Sequence, residues 1–317
     1  SVKDYYGKVL NTQDDLKTSA CCSTDTLPDS HKAILASLPD EVLAKFYGCG
    51  QPIPPLLDGL TVLDLGSGSG RDAYLLSSLV GEQGRVIGID MTTEQLDVAR
   101  RYQDTVAKSF GHQTSNVDFR QGYIEDLASA GIEDNSIDLV VSNCVINLSP
   151  RKDLVFKELF RVLKPGGELY VSDVFADRRI PEPLREDPVL LGECLSGAMY
   201  IEDFRRLLEG LGVPDYRVMS KRLLDIEDSE IRAKMNGVQC YSITVRAFKL
   251  DLEDRCEDYG QTACYLGSIP EYNDAFVLDQ GHRFETGKIG SVCGNTAAML
   301  QQTRYQAHFD VKGSMDT

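Results

Sequence analysis

Residues 61–72 read TVLDLGSGSGRD, an apolar run closed by glycines at 66, 68 and 70 and continued by the helix-like RDAYLLSSLVG. An apolar strand ending in a glycine turn that opens a helix sets bare backbone amides at the carboxyl edge of a sheet, where α/β folds bind ligands. RVIGID (85–90) repeats the strand pattern one helix later. A long helix is predicted from Thr92 to about Phe110, and its start, Thr92-Thr93-Glu94-Gln95, has capping-box spacing. VDFRQG, SIDLVVSN and GELYVSDV follow as strands, with the helix DLVFKELFRVLKPGG between the last two. Strands that alternate with helices and are themselves apolar imply a parallel sheet covered on both faces.

The pattern changes after Val174. A Pro- and charge-rich connector, ADRRIPEPLREDPV, leads to LLGECLSGAMYIEDFRRLLEGLG, helical by its apolar spacing, and then to two strand-like blocks, DYRVMSKRLLDI and CYSITVRAFKL. From about Asp251 the blocks are short and broken by Gly and Pro. Three regions are therefore expected: a ligand-binding domain over 1–175, a second region over 176–250 that completes the sheet, and a small C-terminal domain over 251–317. At 317 residues the chain can bury a core without disulfide staples. No stretch approaches the roughly 20 apolar residues of a membrane span, and SVKDYYGKVL has no basic region followed by an apolar core, so the cytoplasm is the expected compartment. The net charge of −16 repels phosphate backbones, which argues against a nucleic-acid partner. Nine cysteines in a chain without an export signal are expected to be mostly thiols, either buried small hydrophobes or soft ligands and nucleophiles.

Two acidic residues narrow what the turn holds. Asp64 precedes the glycines, and Asp90 ends the second strand, where a carboxylate can accept both hydroxyls of a ribose. The third glycine of a dinucleotide fingerprint is replaced by Arg71-Asp72. VLDLGSGSGRDA, with GIDMT, GYIEDL and LKPGGELYVSDV, resembles the class I S-adenosylmethionine-dependent methyltransferases over about 61–175. That resemblance implies a Rossmann-like doubly wound α/β sheet, with Asp64, Gly66 and Gly68 around the methionine and ribose. It puts Asp90 on the ribose diol, Met91 against adenine, Ile124 and Glu125 flanking the base, and Asn143 near the methionine end. Met91 and Ile124 read equally well as core.

The cysteines address the acceptor. Cys144 lies in SNCVINL at the end of the fourth strand, Cys194 in GECLSGAMY, and Cys49 in FYGCG, and no pair has zinc-knuckle spacing. Three thiolates in a pyramid suit a soft ion with a lone pair, such as trivalent arsenic, better than zinc. YYGKVLNTQDDLKTSACC, FYGCG, SNCVINLSPRKDLVFKELFRVLKPGGELYVSDV, GECLSGAMY and the late CGNTAAML resemble the arsenite S-adenosylmethionine methyltransferases over nearly the whole chain. The resemblance implies thiolates at Cys144 and Cys194 holding arsenic, or its thiol conjugates, with Cys49 as third ligand. It also implies a redox disulfide between an N-terminal cysteine and Cys49, later reduced by thioredoxin or glutathione. The doublet Cys21-Cys22 leaves the partner open by one residue, and position relative to Cys49 favours Cys21. Tyr47 could face a sulfonium or pack in the core; Glu193 could bind a hydroxyl on arsenic or face solvent. Cys240 reads as strand core, and Cys293 opens a helix whose dipole would lower its pKa. Three rivals remain on sequence: a methyltransferase of a quinone- or sterol-like acceptor, a soft-metal binding protein without turnover, and a zinc-stabilised structural domain.

Overall fold

In the computed structural model, residues 27–46, 48–185, 187, 190, 195–226 and 228–315 are described. Two short helices, α1 (Asp29–Ala36) and α2 (Asp40–Ala44), precede the sheet. Its first half runs β1 (Thr61–Leu65), α3 (Arg71–Val80), β2 (Arg85–Asp90), α4 (Thr93–Arg101), α5 (Gln103–Ser109) and β3 (Val117–Gln121). Next come β4 (Ile137–Asn143), α6 (Lys152–Val162), β5 (Leu163–Ala176), α7 (Glu182–Arg185), the two-residue β6 (Met199–Tyr200), α8 (Ile201–Gly210), β7 (Tyr216–Leu223), α9 (Ser229–Met235) and β8 (Cys240–Phe248). The strands form one eight-stranded sheet of order β3-β2-β1-β4-β5-β8-β7, with β6 paired to β5. β1 to β5 are parallel, whereas β8 runs antiparallel between β5 and β7. The strands read from 216–248 thus complete the sheet of the ligand-binding region.

Successive side chains of a strand leave by opposite faces, and the core splits accordingly. Leu63, Leu65 and Val140 join Phe156, Leu159, Phe204 and Leu208 of α6 and α8 on one face. Val62, Leu139 and Val141 join Leu35, Leu75, Leu76, Leu96 and Ala99 of α1, α3 and α4 on the other.

Three local expectations are corrected. The helix expected over 92–110 is two, divided at Tyr102, whose backbone (φ −101°, ψ 0°) belongs to the bridge region rather than the α-helix. Thr92 is the N-cap of α4, but its side chain makes no capping bond; the acceptor that fixes this turn is Asp90, whose Oδ1 takes the Thr92 amide at 2.8 Å. Within the block read as one helix from 190 to 212, Met199 and Tyr200 pair with β5 and the helix begins at Ile201.

β9 (Gln261–Tyr265), β10 (Ala275–Asp279), β11 (His282–Glu285), β12 (Ile289–Val292), α10 (Gly294–Gln301) and β13 (Phe309–Lys312) build the C-terminal region, a three-stranded sheet β12-β9-β13 beside the β10-β11 hairpin. Its core of Tyr265, Phe276, Leu278, Met299 and Tyr305 takes in Phe248 of β8. Under this junction Glu168 and Arg246, both wholly buried, form an ion pair. Glu168 also binds Arg304, which donates onward to the carbonyls of Leu56 at 3.0 Å and Pro55 at 3.1 Å. Among the described residues no helix is long and apolar enough to cross a membrane.

Candidate active site

The glycine turn leaves β1 with Gly66 at φ +64°, where a Cβ would lie 2.3 Å from Val145 and in a backbone region costly for other residues. The turn is held from the next strand. Asp90 Oδ2 accepts the Gly68 amide at 2.9 Å, while Oδ1 holds Thr92, so one carboxylate braces both loops around the crevice. Burial raises the Asp90 pKa, and its backbone donors oppose that rise. Asp64 is raised well above the carboxylate range by burial, with Asp72 and Asp90 adding to the effect. Arg71 offsets part of this charge: it pairs with Asp72 at 2.6 Å and lies 3.8 Å over the Phe46 ring.

These groups border a cavity of about 620 Å³ at the carboxyl ends of β1, β2 and β4, lined by Asp64, Gly66, Gly68, Asp90, Met91, Ile124, Glu125, Asn143 and Cys144. Asp64 Oδ2 and Ser67 Oγ, on this lining, are buried with no hydrogen-bond partner among the described residues. Buried polar atoms of this kind require a partner. A nucleoside carrying an amino acid, cationic at its amine, supplies donors and positive charge where three carboxylates crowd. S-adenosylmethionine fits that description, and the residues present fit it.

Three of the expected residues line the cavity and also have partners of their own. Ile124 lines the cavity and also belongs to the core face beneath it. Glu125 is hydrogen-bonded by the Ser149 hydroxyl through Oε1. Asn143 borders the cavity, but its amide is engaged elsewhere: Oδ1 accepts the amides of Cys49 at 2.9 Å and Gly50 at 3.1 Å, and Nδ2 donates to the Gly50 carbonyl and to Asp72, each at 2.9 Å. Asn143 is therefore the clasp that brings the Cys49 segment onto the rim. Ser242 Oγ donates to the Cys49 carbonyl at 2.9 Å. Gly50 approaches so closely that a Cβ would lie 2.5 Å from Ser172 Oγ, itself 2.6 Å from Thr244 Oγ1. Serine and threonine in β5 and β8 carry no spacing signal that could have identified this dock.

Cys144 follows at φ +57°, a left-handed conformation that costs a side-chain-bearing residue about 1–3 kcal/mol. Its amide donates to the Ser172 carbonyl at 2.9 Å, which holds the turn. Cys49 and Cys144, 95 residues apart in sequence, meet as a disulfide with a Cα–Cα distance of 5.6 Å. The redox pairing implied for Cys21 and Cys49 is thus not the one present; Cys49 is joined to Cys144. Cys21, Cys22, Tyr47, Glu193 and Cys194 lie outside the described residues.

A second disulfide joins Cys256 to Cys293. The expectation that most cysteines are thiols is corrected for four of the six described ones, and Cys293, being bonded, has no thiol for a helix dipole to acidify. Cys240 is a buried thiol in β8, pushed up to about 12 by burial.

Sequence reasoning missed Asp173. Its carboxylate and the sulfurs of Cys49 and Cys144 lie within 4.8 Å of one another, all three residues buried. Burial raises its pKa to about 6, and the amides of Val174 and Asn147, which favour the carboxylate, oppose that rise. The available signal was an acid inside the apolar strand YVSDVFA.

A methyltransferase-domain family model matches residues 56–212, and an arsenite methyltransferase C-terminal domain model matches 259–316. The arsenite methyltransferase of Aquipseudomonas alcaligenes is 55% identical over 314 residues, covering 99% of this chain and 90% of the relative. The human arsenite methyltransferase is 42% identical over 315 residues, covering 98% and 83%. The crystal structure of an arsenic (III) S-adenosylmethionine methyltransferase from Chlamydomonas reinhardtii superposes with a TM-score of 0.89 at 50% identity, covering 92% of this chain and 98% of that one. Sheet order, glycine turn and these matches define an S-adenosylmethionine-dependent methyltransferase. Within that class, the chain belongs to the arsenite methyltransferase family.

Proposed function

We propose that this protein transfers methyl groups from S-adenosylmethionine to trivalent arsenic held by cysteine thiolates, yielding methylated arsenicals in a detoxifying biotransformation. The observation that carries the reading is that Cys49, from a distant segment, meets Cys144, which lies on the wall of the cofactor cavity.

Bound S-adenosylmethionine supplies an electrophilic methyl on a sulfonium sulfur. On this reading Asp90 receives the ribose diol on lone pairs left over from its two backbone donors, and Met91, Ile124 and Glu125 form the adenine wall. Asp64 and the glycine turn take the methionine end. Cys144 and Cys194 hold arsenic as thiolates, with Cys49 as third ligand. Arsenic's lone pair forms the As–C bond while the C–S pair leaves with the thioether sulfur. The nucleophile carries no proton, so no general base is needed, and catalysis is mostly positioning in a dry site. Arsenic emerges formally pentavalent. Two thiolates can return it to the trivalent state by giving up two electrons as their sulfurs join, and the Cys49–Cys144 disulfide is the oxidised form of such a pair. Cys21 is proposed as the exchange partner that passes this oxidation outward, to thioredoxin or glutathione.

The test is to incubate the protein with S-adenosylmethionine, arsenite and a thiol reductant and to speciate the arsenic chromatographically. Methylated arsenicals are expected; unchanged arsenite with cofactor bound would mean a different acceptor. A separate check addresses the cofactor wall. Asp90→Ala removes a charged acceptor of both ligand and loop, so affinity for S-adenosylhomocysteine should fall by about 1.5–3 kcal/mol, roughly 10- to 100-fold, in titration calorimetry. Unchanged affinity would remove Asp90 from the site.

A further inference from the structure

We infer that Asp173 is the electrostatic partner of the arsenic centre: its buried carboxylate beside the two sulfurs stabilises the positive charge that methyl transfer places on arsenic. The inference rests on the proposed arsenic methylation and assigns a role to a residue which that mechanism leaves idle.

Three observations carry it. The carboxylate is in place, within 4.8 Å of the sulfurs of Cys49 and Cys144. Its surroundings are buried and apolar: both cysteines belong to an apolar cluster with Val174, Leu190 and Leu195. It is also oriented in advance: Val174 N–H donates to Oδ1 at 2.8 Å and Asn147 N–H to Oδ2 at 3.2 Å. Lys152, the cation whose field reaches it, donates its ammonium to the carbonyls of Asn147 and Ser149 at 3.1 and 2.9 Å.

The chemistry moves one unit of positive charge. Before transfer it sits on the sulfonium; as the As–C bond forms and the C–S pair returns to sulfur, it passes to arsenic and the departing thioether is neutral. A fixed negative charge on the arsenic side therefore favours the transition state over the ground state. Preorganised charge of this kind, in a water-excluded site, acts on kcat more than on binding.

Asp173→Asn keeps the shape and removes the charge. Its kcat for arsenite methylation should fall by roughly 10²-fold or more, with KM for arsenite and affinity for S-adenosylhomocysteine close to wild type. Since Asp173 also holds the turn bearing Asn147, a second variant separates charge from scaffold: Asp173→Ala should be partly rescued by formate and not by formamide, its neutral isostere. An undiminished kcat in Asp173→Asn overturns the inference, as does a loss shared equally by kcat and both affinities with no preference for formate. Wild-type protein assayed alongside distinguishes the two readings. Without methylated product from wild type, arsenic methylation fails and the role of Asp173 falls with it; with product, failure of the Asp173 pattern leaves the proposed function intact.

Discussion

Cys144→Ser is expected to abolish arsenite methylation, by roughly 10³-fold or more in kcat/KM, while leaving affinity for S-adenosylhomocysteine within a few-fold of wild type. The separation follows from position. Cys144 lies on the wall of the cavity, yet the groups proposed to meet the nucleoside and methionine come from β1, β2, β3 and the turns after them. A serine oxygen is a hard donor with little affinity for a soft trivalent metalloid, and it cannot return two electrons by forming a disulfide. The assay belongs under reducing conditions, so that loss of the Cys49–Cys144 cross-link, itself worth about 2–4 kcal/mol, does not enter as instability. Arsenic speciation and calorimetry on the same preparation decide the matter. Retained methylation would transfer the essential ligation to other cysteines, and joint loss of cofactor binding would mark Cys144 as a scaffold residue.

The largest stability effect is expected at Glu168, far from the chemistry. Glu168→Gln leaves Arg246, wholly buried, without its countercharge and removes the anion that draws Arg304 to the junction. Uncompensating a buried charge costs about 3–5 kcal/mol. The tyrosine hydroxyl of Tyr305 and the Leu278 carbonyl, which also bind Arg246, supply dipoles but no net charge. Thermal unfolding should shift down by roughly 10 °C, measured by calorimetry at neutral pH. A shift of only a degree or two would show that those dipoles suffice. Because Arg304 also holds the carbonyls of Pro55 and Leu56, the C-terminal region is tied to the chain between the Cys49 segment and β1, and its loosening should be cooperative with the main sheet.

Much of the fold was legible along the chain. Alternating apolar strands and amphipathic helices announce the parallel half of the sheet, and the glycine turn announces its ligand crevice, because both signals are local. The antiparallel placement of β8 between β5 and β7 is not local: nothing in CYSITVRAF says which edge it joins. The capping spacing at Thr92 misled differently: the threonine hydroxyl makes no capping bond, and Asp90, two residues upstream, accepts the Thr92 amide, the role the box assigns to Gln95. The expectation of free thiols came from compartment and composition. Neither reports that Cys256 and Cys293, 37 residues apart, are brought within 5.5 Å between their Cα atoms.

The sequence by itself determined the class of the protein: a strand, a glycine turn and two acidic strand ends dictate a nucleoside crevice, since backbone geometry and nearest-neighbour side chains settle those features. Cysteine contexts spread along the chain pointed to the metalloid acceptor through family resemblance. Only the tertiary structure decided which groups share the reaction space. Asn143 clasps the Cys49 segment, Cys144 is turned into a left-handed conformation beneath it, and Asp173 is brought against both sulfurs. These contacts span dozens of residues in sequence, and their geometry comes from the packing of β4, β5 and β8, which no local periodicity encodes.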